Sequence, residues 1–207
     1  MRIKFAIIVG ILACLLNGLV FAQEKTAEDW LNEAIILQQS GIYDRAIQAY
    51  NKVIEMDSDW WMPWNNKGMS LSDLGRFDEA LNCYNKSIEL AQLAAYSPWN
   101  NKGNALSDLG KYKEAIECYD NAIKCYEEAM RVSPGYFSYG YSKSQSWYNK
   151  GEALSKLSKY DEAIMCYDKA ISFSPNDDAI HYGKGIALFY SAKYNEALTE
   201  FGKAVEI

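Results

Sequence analysis

The sequence predicts an all-α solenoid of antiparallel helix pairs, about five repeats long, with one elongated helix hairpin. Three observations carry this. Trp30, Trp64, Trp99, Trp147 and His181 anchor one recurring signature at intervals of 34, 35, 48 and 34 residues, and about 34 residues is the length of two helices and two turns. Around each anchor the same residue types return at the same offsets. Apolar residues make up 49% of the chain and aromatic residues 14%, with only 4 Pro, which suits a packed helical protein and not a disordered one.

In chain order, residues 1–22 come first: Arg2 and Lys4, an apolar run from Phe5 to Phe21, then Ala22 before Gln23. This is the pattern of a secretory signal cleaved after Ala22. The alternative is an uncleaved anchor over residues 5–21, since roughly 17 apolar residues can span a bilayer. The expected location is therefore an extracytoplasmic space, secreted or periplasm-like, or the membrane through residues 5–21. Ile11-Leu12-Ala13-Cys14 only faintly resembles a lipobox, because the run stays apolar past Cys14.

Repeat 1 covers residues 27–60 and is the weakest copy, with Trp30, Ala34, Leu37, Gly41, Tyr43, Ala46 and Tyr50. Repeat 2, residues 61–95, reads Trp64, Gly68, Leu71, Gly75, Phe77, Ala80, Tyr84. Repeat 3, residues 96–143, reads Trp99, Gly103, Leu106, Gly110, Tyr112, Ala115, Tyr119. Repeat 4, residues 144–177, has Trp147, Gly151, Leu154, Tyr160, Ala163, Tyr167, Ala170 and Pro175. Repeat 5, residues 178–207, has His181, Gly185, Leu188, Tyr194, Ala197, Phe201 and Ala204.

Each type has a mechanical reason. Gly in mid-helix costs about 1 kcal/mol relative to Ala, so Gly68, Gly103, Gly151 and Gly185 must allow a close approach of the second helix near Ala80, Ala115, Ala163 and Ala197, with the aromatics filling the spaces beside it. Leu74-Gly75 and Leu109-Gly110 end first helices through a left-handed C′ residue. Asp78-Glu79, Lys113-Glu114 and Asp161-Glu162 open second helices, where acids suit the helix dipole. Pro98, Pro134 and Pro175 precede the next first helix, where a missing N–H does no harm.

At these positions the chain resembles the tetratricopeptide repeat family, whose hallmark is a Trp, a Leu-Gly pair, a Tyr, an Ala, an aromatic, an Ala and a Pro at fixed offsets, here across residues 27–207. The resemblance implies a right-handed superhelix whose concave face is lined by first helices and holds a peptide or partner helix. The Leu of the family's Leu-Gly pair is replaced by Glu33, Lys67, Lys102, Lys150 and Lys184. The family's clamp for acidic carboxyl-terminal tails is represented only by its recurrent asparagines, Asn32, Asn66, Asn101 and Asn149. Its basic members are absent, with Asn65, Asn100 and Tyr148 at matching positions.

The candidate partner-binding groove comprises Asn65, Asn66, Met69, Asn100, Asn101, Asn104, Tyr148 and Asn149, with Met62, Asp73, Asp108, Glu152 and Lys156 on the same faces. Amides suit hydrogen bonding to an extended backbone, since each offers donor and acceptor. The alternative is that duplication alone copied them and some cap neighbouring helices.

The 48-residue interval exceeds the period by 14, split as seven before Pro134 and seven after. Seven residues are two helical turns, and Cys118-Tyr119 is echoed by Cys125-Tyr126, so a hairpin protruding about 10 Å is expected. Its tip holds Tyr136, Phe137, Tyr139 and Tyr141, either a second partner-binding patch, since Tyr is enriched at interfaces, or residues packed along the lengthened helices. The final repeat has no polar capping helix after Ile207, so Tyr194, Leu198, Phe201 and Val205 form a candidate surface for homo-oligomers.

The formal charge is -6, and loss of Arg2 and Lys4 leaves 19 basic against 27 acidic residues, or -8. Such a chain lacks the basic stripe that nucleic-acid binding needs, and an anionic membrane surface is disfavoured likewise. Cys83, Cys118, Cys125 and Cys166 are expected as free thiols, because equivalent positions on packed helices lie about 8–10 Å apart and disulfides need Cα atoms within about 7 Å. Asn85-Lys86-Ser87 matches a glycosylation sequon on a helix, a weak signal. No nucleophile with a base, metal cluster or phosphate loop is evident, and His181, the single histidine, reads as a structural imidazole. No cofactor or catalytic role is expected. The sequence thus points to an exported adaptor that holds a protein or peptide segment in its groove and helps assemble a complex, or to a structural subunit that self-associates through its last repeat.

Overall fold

The computed structural model describes residues 24–92, 95–132 and 140–206. Among these residues there are ten helices and no strand. They are α1 (Ala27–Gln39), α2 (Tyr43–Met56), α3 (Trp61–Asp73), α4 (Phe77–Ala91), α5 (Tyr96–Asp108), α6 (Tyr112–Val132), α7 (Gly140–Lys156), α8 (Tyr160–Phe173), α9 (Asp178–Tyr190) and α10 (Tyr194–Glu206). Each packs on the next in chain order, which makes a solenoid. The odd-numbered first helices also touch the first helix of the following unit, α1 on α3 through to α7 on α9, and no pair of second helices packs to that degree. First helices therefore lie on the inside of the curve.

The first helix starts on a capping box, Thr26 and Asp29 satisfying each other's backbone N–H groups. Gly41, Gly75 and Gly110 end first helices at φ +73, as a left-handed C′ residue requires. In the last two units that place is taken by Ser158 and Ala192, both at φ 60. The second helices α2, α4 and α8 have no side-chain cap. Their leading acids are engaged instead in ion pairs, Glu79 with Arg76 and Glu162 with Lys159. Pro98 lies inside the first turn of α5 and not before it, and Pro63 has the same place in α3. Their missing N–H groups remain harmless there, because the first turn has no intrahelical acceptors for them.

The close approach at the mid-helix glycines is made by an aromatic ring, not by the alanine expected from the sequence. A Cβ on Gly68 would stand 2.6 Å from the Tyr84 ring, one on Gly103 2.5 Å from Tyr119, and one on Gly185 2.5 Å from Phe201. Tyr84, Tyr119 and Tyr167 are fully buried as a result, and so is Tyr50, whose unit has Ala34 at that place, each contributing about 2–3 kcal/mol of apolar burial. Their hydroxyls emerge at the first helix: Tyr50 donates to Gln38 Oε1 (2.5 Å), Tyr119 donates to Asn104 Oδ1 (3.0 Å), and the Tyr84 and Ser72 hydroxyls meet at 3.1 Å.

The elongated hairpin is present. Helix α6 has 21 residues against 14 in α8, and α7 has 17 against 13 in α5. The extra turns are packed: Ala122, Ile123, Tyr126 and Ala129 are buried, and Tyr96 meets Tyr126 edge-on at 6.1 Å.

A second recurrence runs along the anchors. The ammonium groups of Lys67, Lys102 and Lys150 lie 5.5, 5.1 and 5.4 Å from the ring centroids of Trp64, Trp99 and Trp147, beside the buried thiols of Cys83, Cys118 and Cys166. The cysteines are free. Unit 5 keeps the lysine as Lys184 but exchanges both of its neighbours: His181 replaces Trp and Glu200 replaces Cys. Both are buried, and His181 Nδ1 sits 2.6 Å from Glu200 Oε2 while Nε2 faces the Pro175 carbonyl at 2.9 Å. Lys184 and Lys203 donate to the same carboxylate at 3.0 and 3.1 Å. Burial alone would raise the Glu200 pKa, but the bonds from His181, Lys184 and Lys203 overrule it and hold the carboxyl down at about 2.

Candidate groove on the inner face

The groove is built from faces of α3, α5, α7 and α9. A cavity of about 230 Å³ opens between the second and third units, lined by Met69, Ser72, Asp73, Tyr84, Asn101, Asn104 and Asp108. A second of about 630 Å³ lies between the fourth and fifth, lined by Gln145, Tyr148 and residues 174–180.

Most of the asparagines bond to one another across unit boundaries. Asn101 Nδ2 donates to Asn65 Oδ1 (3.0 Å), and Asn149 Nδ2 donates to Asn104 Oδ1 (2.8 Å) and Asn100 Oδ1 (3.4 Å). Ser146 donates to Asn100 Oδ1 (3.1 Å), Gln145 to Asn149 Oδ1 (2.7 Å), and Asn65 Nδ2 to Asn66 Oδ1 (3.2 Å) and, weakly, to the Met69 sulfur. Asn65 and Asn149 are buried at 4% and 8% exposure. Part of the expected amide ladder is thus an internal staple between units. Two candidate site residues, Asn65 and Asn149, are spent on the protein itself, because the inner face of one first helix is also the face that meets the next. Met69 is exposed, and Asn66, Asn100, Asn101, Asn104 and Tyr148 are half-buried. Tyr136, Phe137 and Tyr139 of the hairpin tip lie outside the described residues, and Tyr141 falls in the first turn of α7.

The sequence reading missed Ser72 and the hydroxyl of Tyr84, which reaches the cavity over Gly68. The sixteen-residue offset from Gly to Tyr, repeated in units 2 to 4, was the signal. Carboxylates surround these hydroxyls: Asp73 and Asp108 bear on Tyr84, Asp108 and Glu152 on Tyr119, Glu152 and Asp177 on Tyr148. Burial first, and then these charges, raise all three phenol pKa values, and burial raises that of Asp73.

Models described as tetratricopeptide repeat match residues 27–59, 62–134 and 144–177. The chain belongs to the tetratricopeptide repeat family. No curated protein sequence matches it. Among solved structures, a MamA crystal structure is similar at 22% identity over 87% of this chain and 90% of its own, with TM-score 0.67. YrrB, described as a tetratricopeptide protein with an unusual peptide-binding site, matches at 19% identity over 92% and 90%, with TM-score 0.62. PilF of Pseudomonas aeruginosa matches at 16% identity over 87% and 75%, with TM-score 0.74. These likenesses establish the solenoid fold. Within this tetratricopeptide chain, no described helix is long and apolar enough to cross a membrane, and no three described His, Cys, Asp or Glu side chains gather as a metal site.

Proposed function

We propose that this tetratricopeptide chain is an exported, non-enzymatic adaptor that binds a protein or peptide segment on its inner face and helps assemble or tether a complex. The observation that carries the reading is the cavity between α3 and α5, where exposed Met69 and Asp73 stand beside half-buried Asn101 and Asn104 on the inside of the curve. Export rests on residues 1–22. The test is recovery of co-purifying partners by Met69→Trp, which fills the groove, beside Met165→Trp on an exposed site of α8. Loss with the first variant alone supports the groove. Equal recovery from both refutes it.

A second reading, self-association, is favoured by one observation. Tyr194, Leu198 and Val205 form an apolar stripe on α10 at 57%, 69% and 87% exposure. At the other end, 62%-exposed Ile36 stands where internal units have Ser70, Ala105, Ala153 and Ala187, all at 1% exposure or less. That isoleucine obstructs head-to-tail stacking in the solenoid's own register, so a tail-to-tail dimer with two-fold symmetry is the form expected. Sedimentation of Leu198→Glu against the unaltered chain checks it, a fall in dimer mass supporting the reading and an unchanged monomer in both ending it.

A further inference from the structure

The staples between units leave the groove with an unusual balance. Asn65 and Asn149 are buried, and the side-chain oxygens of Asn100 and Asn104 each accept two hydrogen bonds from the protein. These amide oxygens are spent inside the protein, so they are not open to a ligand's donors. The charged acceptors on the inner face are carboxylates. Asp73 and Asp108 flank the Tyr84 hydroxyl in one cavity, and Glu152 continues the row past Tyr119 to Tyr148.

None of these three carboxylates has an ion-pair partner among the described residues. On the outer helices several acids do have one: Asp120 takes Lys150, Asp168 takes Lys184, Asp161 takes Lys193, and Glu79 takes both ends of the Arg76 fork. Lys156, exposed at the position of Asp73 and Asp108 in the fourth unit, is the one cation at the end of the row. The carboxylates are also spread along the curve, and no three described ligating side chains gather around one point. Separate cations carried on a chain satisfy such a row, whereas a single metal ion does not.

We propose that the groove accepts an extended protein segment rich in Lys or Arg, whose cations are set against Asp73, Asp108 and Glu152. This rests on the groove reading above and specifies its ligand. An acidic tail is repelled by the same row, which agrees with the missing basic clamp.

The test uses the full chain and three fluorescent nine-residue peptides of alternating design, Lys-Ser, Gln-Ser and Glu-Ser, followed by anisotropy and by amide NMR shifts. The Lys-Ser peptide binds, shifts the amides of Asp73, Asn104, Asp108 and Glu152, and weakens as NaCl rises from about 0.05 to 0.5 M. Asp73→Asn with Asp108→Asn lowers its affinity about tenfold, roughly threefold per partly exposed pair, without moving the melting temperature. The Glu-Ser peptide does not bind. Equal binding of Lys-Ser and Gln-Ser with shifts in the groove overturns the charge inference and leaves the groove reading standing. No binding by Lys-Ser, or binding unaffected by the double variant, also overturns it. Recovery of native partners by Met69→Trp brings down the groove reading separately.

Discussion

Replacing His181 with Trp puts into the fifth unit the residue that anchors the other four, and it is expected to destabilise the protein. The reason lies on the opposite helix. Glu200 is buried at 6% exposure and loses its shortest hydrogen bond, the 2.6 Å contact with His181 Nδ1, while retaining Lys184 and Lys203. Breaking a buried pair from one side costs about 3–5 kcal/mol, and the remaining lysines place this case near 3. The pKa gives a second route. A carboxyl at about 2 in the fold and 4.5 as an ordinary glutamate is worth about 3 kcal/mol, since each unit is about 1.4 kcal/mol. The folded pKa is the lower one, so this stabilisation is complete above pH 4.5 and is lost as the pH falls toward 2. Glu200→Cys alone leaves the imidazole without its carboxylate. His181→Trp with Glu200→Cys together recreates the Trp, Lys and Cys set of units 2 to 4 and is expected to be neutral or stabilising by about 1–4 kcal/mol, as apolar replacements of buried ion pairs often are. The assay is a double-mutant cycle by urea unfolding, with hydrogen exchange in α9 and α10 to locate the change. A coupling energy of at least about 3 kcal/mol is expected. Additive single effects, or a Glu200→Cys variant with the same acid limb between pH 4.5 and 2, refute the account.

Three further outcomes follow from local geometry. Ala192→Gly relieves a left-handed residue at φ 60 and is expected to raise stability by about 1 kcal/mol, read as an increased urea midpoint. Gly103→Ala improves helix propensity by about 1 kcal/mol yet drives a Cβ to 2.5 Å from the Tyr119 ring; overpacking of about 2–3 kcal/mol wins, and the melting temperature falls. The Cys118 and Cys166 thiols, pushed up to about 11 by burial, are expected to resist alkylation at pH 8 until denaturant is added, which mass spectrometry of the labelled chain reads directly.

The helix pairs were legible because their determinants are local and repeated. Gly75 and Gly110 mark turns with a fixed backbone requirement, and the 14 surplus residues between Trp99 and Trp147 divided into whole helical turns, which is how the chain lengthened α6 and α7. The groove was legible as a face and not as a set of free groups. Periodicity placed Asn65, Asn101 and Asn149 inward, but inward includes both the cavity and the seam with the next unit, and only packing separates the two. The ring seated on Gly68 was mistaken for a helix seated there, because an offset names a neighbour without saying which atoms of it arrive. The fifth unit carried a signal that went unread: His181 and Glu200 depart from the pattern together, and two departures facing each other across one hairpin are one substitution in physical terms.

The sequential packing of α1 to α10 has a mechanical consequence. Among the described residues helix contacts run between neighbouring helices and successive first helices, so tension along the solenoid meets no long-range crosslink there and is expected to yield in steps of one hairpin, each releasing about 34 residues of slack. The longer helices α6 and α7, on either side of one seam, break the uniformity, since they release more. Such a molecule acts as a graded spring, with the asparagine contacts stiffening the two seams that join the second, third and fourth units.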